Sequence, residues 1–506
     1  MSEVILTASI VGLDAHPVRV EADISPGLNA FIVVGLPDAA VQEARERVRS
    51  AIKQSGVAFP RTRVAVNLAP ADVKKSGTLF DLSIALAILR AQGDLPCALP
   101  VSTMVAGELG LDGALRPVHG VLAVAALAKR AGVSELIVPA ENAAEAALMG
   151  VSLRIRRAQT LREVIEHFIG RAALPEEPWQ TPTLARSLQY AHDFAAIRGQ
   201  AQARRALEIA AAGAHNLVMQ GPPGSGKTLL ARSFPSILPS MTLDEALEVT
   251  RIHSIAGTLN ALNLVTERPF RAPHHSASMV ALIGGGTTPR PGEISLAHRG
   301  VLFLDEMLEF PRSVLESLRQ PLEDGIVTVS RAQGSLSFPA RMMFLGALNP
   351  CPCGFMTDGE RTCVCTSLQV SKYRKRLSGP LLDRIDLFLE VPKVKPNELA
   401  NSEDAETSAA VRTRVEAARA RQTERYRGLG LTANSELGSH QVRTLLAMSS
   451  EAKNLLRHAT ERHRLSARAY FRTIKVAQTI ADLVGVTTID TAYVAEALQY
   501  RQQEQA

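Results

Sequence analysis

Short apolar runs bounded by turn residues recur through the first part of the chain. Val4-Ile-Leu-Thr-Ala-Ser-Ile, Phe31-Ile-Val-Val and Arg63-Val-Ala-Val-Asn-Leu have the β-branched character of strands. Between them, 39–54 reads as a helix with one polar face, and 80–91 as a mostly apolar helix. That alternation predicts an α/β or α+β domain over residues 1–170. Next, Leu174-Pro-Glu-Glu-Pro-Trp-Gln-Thr-Pro lacks apolar periodicity and reads as part of a linker, 171–192. Three further apolar runs each end in a polar group: Asn216-Leu-Val-Met-Gln, Gly300-Val-Leu-Phe-Leu-Asp-Glu306 and Met342-Met-Phe-Leu-Gly-Ala-Leu-Asn349. They predict the buried strands of an open α/β sheet in a second domain, 193–395. Within it, Ile326-Val-Thr-Val-Ser and Ser335-Leu-Ser-Phe flank Arg331-Ala-Gln-Gly334, the pattern of a hairpin. From 396 to 506 the periodicity is helical. An arginine-rich helix over 411–426, one opening near Ser466, and a last one over 488–498 make an all-α lid.

Composition narrows the class. The chain has 506 residues, 46% hydrophobic and 4% aromatic, and no apolar run approaches the ~20 residues that span a bilayer. Its N-terminus lacks a basic stretch followed by an apolar core, so the expectation is a cytoplasmic protein with no membrane segment. The net charge of +6 is compatible with nucleic acid but does not argue for it. Arg412, Arg414, Arg419, Arg421 and Arg425 read as a solvated helix face, with phosphate-backbone contact as the alternative. Four of the five cysteines fall between 351 and 365. In a reducing compartment Cys351, Cys353, Cys363 and Cys365 point to a structural four-thiolate zinc site, with reduced loop thiols as the alternative.

The most specific chemistry lies in Gly221, Pro222, Pro223, Gly224, Ser225, Gly226, Lys227 and Thr228, which fit the phosphate-loop pattern between a strand and a helix. Glycines let successive N–H groups face phosphate oxygens, and the helix N-terminus adds partial positive charge. Lys227 would reach the β and γ phosphates of ATP, and Thr228 would hold magnesium. Asp305 would hold the same ion through water, and Glu306 would orient or deprotonate the attacking water. Asn349, ending the next strand, is placed to bond the γ phosphate or that water. His274 and His275 are adjacent, a poor spacing for chelation, and read as structural or polar contacts.

Two resemblances add to these readings. Gly107 to Leu122 resembles the proteolytic domain of Lon-type proteases, which implies a ribosomal-S5-like fold. Leu79 stands where that family has its serine nucleophile and Leu122 where it has its lysine base, so the domain is expected to be a scaffold and not a protease. The run from Arg268 to His275, the run from Pro291 to Glu306, and Asn349-Pro-Cys-Pro-Cys-Gly354 resemble the ComM/YifB family of magnesium-chelatase-like AAA+ proteins, along nearly the whole chain. The resemblance implies ATP hydrolysis in a homo-oligomeric ring, a hexamer, with Ile197 and Gly199 beside the adenine. It implies that Arg384 reaches a neighbouring subunit's nucleotide and that Arg468 senses the γ phosphate from the lid. Arg331, at the hairpin tip, would touch DNA in the ring pore. Members of the family are described as DNA helicases that promote branch migration during natural transformation, acting on single-stranded or branched DNA. The alternative is a protein-remodelling or metal-insertion motor like magnesium chelatase itself.

Overall fold

The computed structural model describes residues 4–95, 102–179, 190–259, 264–286, 289–331, 334–394 and 406–501; the side chains at 331 and 334 lie outside that description. The chain folds as two units, each with its own core.

The first unit is built on a seven-stranded sheet in the order Ala30–Val34, Arg63–Ala69, Asp14–Ser25, Ile5–Val11, Thr103–Val105, Glu135–Pro139, Arg154–Ala158. Its long central strands pair antiparallel and its flanks parallel. Helix Ala39–Gln54 begins at Asp38, whose carboxylate accepts the N–H of Val41 at 2.9 Å. Helix Asp81–Gln92 is buried along nearly its whole length and stops at Gly93, φ 89°. Leu79 and Leu122 are core residues, 6% and 2% exposed.

Two boundaries differ from the sequence expectation. Leu174 is buried, and the Glu177 N–H bonds the carbonyl of Ile155 at 2.9 Å, so the start of the expected linker lies along the outer strand of this unit. Helix Leu243–Ala256, from the middle of the expected second domain, also belongs to the first unit. Arg251 pairs with Asp14 at 2.7 Å, and buried Glu145 accepts the Ser254 hydroxyl and the Leu122 N–H. The Glu145 carboxyl is shifted upward by burial, against those donors.

The second unit carries a five-stranded parallel sheet, ordered Phe270–Arg271, Val301–Leu304, Met343–Leu348, Leu217–Gln220, Leu387–Glu390. The central strands are buried on both faces, as parallel strands covered by helices must be. Successive residues serve opposite layers: Leu217, Met219, Leu345 and Ala347 join one core, and Val218, Phe344 and Leu348 the other. Gln220 lies opposite Leu348, so the turns after these strands emerge side by side. A hairpin, Ile326–Arg331 with Gly334–Pro339, precedes the Met343–Leu348 strand.

Helices Ser408–Arg425, Ser439–Leu445, Ser450–His463, Ala467–Val484 and Thr491–Gln499 form the lid. Ser466, where the sequence places the start of a helix, caps the fourth by accepting the Ala469 N–H. The arginines of the first helix form neither a solvated face nor a free phosphate-binding row. Arg412 bonds the Ser236 carbonyl, Arg414 pairs with Glu208 and Glu406, and Arg419 bonds the Ala211 carbonyl. Arg421 bonds the Asp482 carbonyl, and Arg425 pairs with the fully buried Asp482 carboxylate.

Candidate nucleotide site

The phosphate loop starts where the Leu217–Gln220 strand ends. The Gly221 N–H bonds the Leu348 carbonyl at 3.2 Å, and a Cβ at Gly221 would lie 2.1 Å from the Val391 carbonyl oxygen, so no side chain is tolerated there. On the open side, Gly224 and Gly226 have φ +78° and +87°, with no atom within 4 Å of where a Cβ would stand. That is a backbone cradle able to face polyphosphate, and helix Lys227–Ser233 begins at its end.

Lys227 is buried. Its Nζ lies 2.7 Å from the Gly221 carbonyl, 2.9 Å from that of Pro222, and 3.4 Å from both Ser225 Oγ and Asn349 Oδ1. Burial lowers the pKa of this ammonium, and the nearby Asp305 and Glu306 carboxylates oppose the shift. The Thr228 hydroxyl donates to Asp305 Oδ2 at 2.7 Å. A threonine hydroxyl and a carboxylate at one point form an all-oxygen donor set that fits a hard cation such as magnesium.

Glu306 has φ 48°, a left-handed conformation uncommon outside glycine, and it turns the chain out of the strand into the Met307–Glu309 turn. Its side chain is exposed and stands 3.7 Å from His275 Nδ1. The His275 ring lies tilted against that of His274, with centroids 4.0 Å apart, and meets Phe310 edge-on. His275 is therefore a polar contact, as expected, but one made to Glu306. Sequence reasoning missed this neighbour because the two residues lie in turns that follow different strands. It also missed Gln200. Gly199 and Gln200 both have positive φ, and the Gln200 amide donates to the carbonyls of Ser225 and Pro392. Ile197 is 3% exposed within the core.

Arg384 and Arg468 are brought together at a different place. Arg384, 6% exposed, pairs with Glu323 and bonds the Pro380 carbonyl at 2.5 Å, and Arg468 bonds the same Glu323 at 3.1 Å. Burial, then the charges of Arg468, Arg319 and Arg472, lower the pKa of Arg384. Glu316, Arg319, Gln320, Glu323 and Arg384 line a cavity of about 490 Å³. The sequence carries no local signal for Glu323.

Cys351, Cys353, Cys363 and Cys365 converge, with all four sulfurs within 4.8 Å of one another. The closest pairs are 3.4 to 3.6 Å apart, far beyond a disulfide bond. Zinc–sulfur bonds of about 2.3 Å in a tetrahedron put sulfurs about 3.8 Å apart, so the set fits a zinc ion.

Three stretches match family models: residues 193–399 "Magnesium chelatase, subunit ChlI", 20–142 "Subunit ChlI of Mg-chelatase", and 405–501 "Magnesium chelatase, subunit ChlI C-terminal". Competence protein ComM of Haemophilus influenzae is 44% identical over 503 residues, 98% of this chain and 97% of its own. YifB of Escherichia coli is 42% identical over 500 residues, 98% and 96% of the two chains. The chain belongs to the ComM/YifB family of magnesium-chelatase-like AAA+ proteins. A further full-length relative, an uncharacterized protein of Mycobacterium tuberculosis, is 43% identical over 498 residues, 98% of both chains. ComM/YifB membership makes the chain an AAA+ ATPase, acting on ATP with magnesium. No helix among the described residues is long and apolar enough to cross a membrane.

Proposed function

We propose that the chain is the subunit of an ATP-driven ring motor acting on DNA, a helicase or branch-migration factor in recombination during natural transformation. The observation that carries this reading is the hairpin 326–339, placed directly before the Met343–Leu348 strand that leads to Asn349. Val327 and Phe338 anchor its base in the core, and the Ala340 N–H bonds the Gly325 carbonyl at 2.7 Å, so the base is fixed to the nucleotide-binding sheet. The Met343–Leu348 strand joins the hairpin base at one end to Asn349 at the other, so a shift of that strand would carry to the tip, where Arg331 would meet a phosphate backbone. The full-length similarity to a protein named for competence supports DNA as the track.

In this reading the loop N–H groups and Lys227 hold the polyphosphate, and Thr228 and Asp305 hold magnesium. Magnesium, when bound, supplies positive charge against the phosphate oxygens. Glu306 orients the attacking water and takes its proton, while Asn349 bonds the γ phosphate. Arg384 of a neighbouring copy stabilises charge in the transition state, and Arg468 reports the nucleotide state to the lid. A site completed in trans requires a homo-oligomer, which in this reading is a hexameric ring in the cytoplasm. The four thiolates hold structural zinc.

The test is ATP turnover with and without single-stranded and branched DNA. Stimulation by DNA, together with displacement of a branched substrate, supports the reading; identical rates count against a DNA role. The magnesium-chelatase descriptions of the matched stretches favour a second reading, a protein-remodelling or metal-insertion motor. Its ATPase would respond to a protein partner and not to DNA.

A further inference from the structure

We infer that the four-thiolate metal site is a clamp on the phosphate loop, so that zinc occupancy sets how well the protein holds a nucleotide. This rests on the zinc assignment above and adds a role to it.

The cysteine loop touches the nucleotide machinery on two sides. Its near end is Asn349, whose side-chain oxygen lies 3.4 Å from Lys227 Nζ, and Cys351 follows two positions later, fully buried. The Gly354 N–H bonds the Cys351 carbonyl at 3.0 Å, closing a tight turn around the first thiolate pair. That turn presses on the loop: a Cβ at Gly354 would stand 2.7 Å from Cδ and Cγ of Pro223. The far rim is tied elsewhere. Lys393 pairs with Asp358 at 2.6 Å and Glu360 at 3.3 Å. Lys393 follows Val391, whose carbonyl packs against Gly221.

Little else orders this segment. Between the Met343–Leu348 strand and helix Ser367–Arg374 it has no helix or strand and few buried side chains. Fixing each backbone residue costs about 1–2 kcal/mol of conformational entropy, and so exposed a segment recovers little by burial. A metal joining Cys351 and Cys353 to Cys363 and Cys365 supplies the missing constraint, because metal-binding free energy is available as ordering free energy. Without it, the Lys393 ion pairs hold only the far rim of the segment, the Gly354 turn is no longer clamped against Pro223, and Asn349 loses its fixed position beside Lys227.

The experiment uses the full chain. Metal content is measured by elemental analysis, and the affinity for a fluorescent ATP analogue is measured before zinc extraction with a mercurial and chelator, after it, and after re-addition of zinc with excess thiol. One zinc per chain is expected, with affinity falling about tenfold on extraction and returning on re-addition. Circular dichroism of the extracted chain should be unchanged while affinity falls, which separates the clamp from general unfolding; a fall in affinity that comes only with lost circular dichroism counts against the clamp. One zinc per chain with unchanged affinity after extraction, in a protein whose circular dichroism is also unchanged, overturns the clamp and leaves the zinc assignment standing. A chain without zinc removes both. Neither result bears on DNA-stimulated turnover, which is read separately.

Discussion

Thr228 and Asp305 meet hydroxyl to carboxylate at 2.7 Å, although 77 positions separate them in the chain. Parallel pairing of the strands before them places both at the same edge of the sheet. Asp305→Ala should remove one side of the proposed cation site, and ATP turnover should fall at least ~100-fold at any magnesium concentration. A magnesium titration of the rate checks this: recovery at high magnesium would mean that Asp305 only tunes affinity.

Glu306→Gln keeps the shape of the side chain and removes the base. Turnover should drop by about 10²–10⁴-fold with ATP still bound. Equilibrium binding of a fluorescent ATP analogue, alongside a turnover assay, separates the two effects. Normal turnover in this variant takes Glu306 out of the mechanism.

Arg384 and Arg468 share the carboxylate of Glu323. If Arg384 acts on a neighbour, Arg384→Ala and Glu306→Gln proteins should each be inactive alone. Mixed rings then contain some sites with both groups intact, and mixing should restore turnover. No recovery on mixing would place Arg384 outside the neighbour's site.

Arg425 meets Asp482 in the lid, where Asn434 and Gln478 also donate to the buried carboxylate. Arg425→Ala leaves that charge uncompensated and should destabilise the lid by about 3 kcal/mol, read from denaturant unfolding. DNA affinity at fixed fold should not change, because this guanidinium is already engaged within the protein.

Glu135 lies beside His167 at 3.6 Å and Arg156 at 3.0 Å, and these hold its carboxyl down at about 2 against the opposing effect of burial. A lowered folded pKa stabilises the charged form. That contribution is fully present above the unfolded value near 4.5 and is lost as pH falls from there toward 2. Discounted for solvent screening, it is about 2 kcal/mol. Thermal melts between pH 5 and 3 should show a shallower loss of stability in Glu135→Gln than in the parent chain.

Much of the nucleotide site was legible in the residue order, because its parts are consecutive or end adjacent strands. The loop from Gly221 to Thr228 follows a strand, and Asp305, Glu306 and Asn349 each close one. The parallel register then does the rest, since strands buried on both faces deliver their C-terminal turns to one edge. The cysteine pairs were legible for a similar reason, as four thiols within 15 positions have few places to go.

What the residues by themselves determined was therefore local: which segments are strands or helices, where the phosphate loop lies, and which side chains carry the chemistry. Partners distant along the chain were decided only by tertiary packing. Periodicity assigned the five arginines of helix Ser408–Arg425 to a polar face, and packing supplied the carbonyls and carboxylates that occupy them. Helix Leu243–Ala256 reads as part of the motor by position, yet Arg251 and Ser254 find their partners in the first unit. Glu323 carries no local mark, and only the folded chain sets it between Arg384 and Arg468. The physical reason is common to all three. A pattern along the chain records which face is polar or apolar, while the group that meets that face comes from far away in sequence.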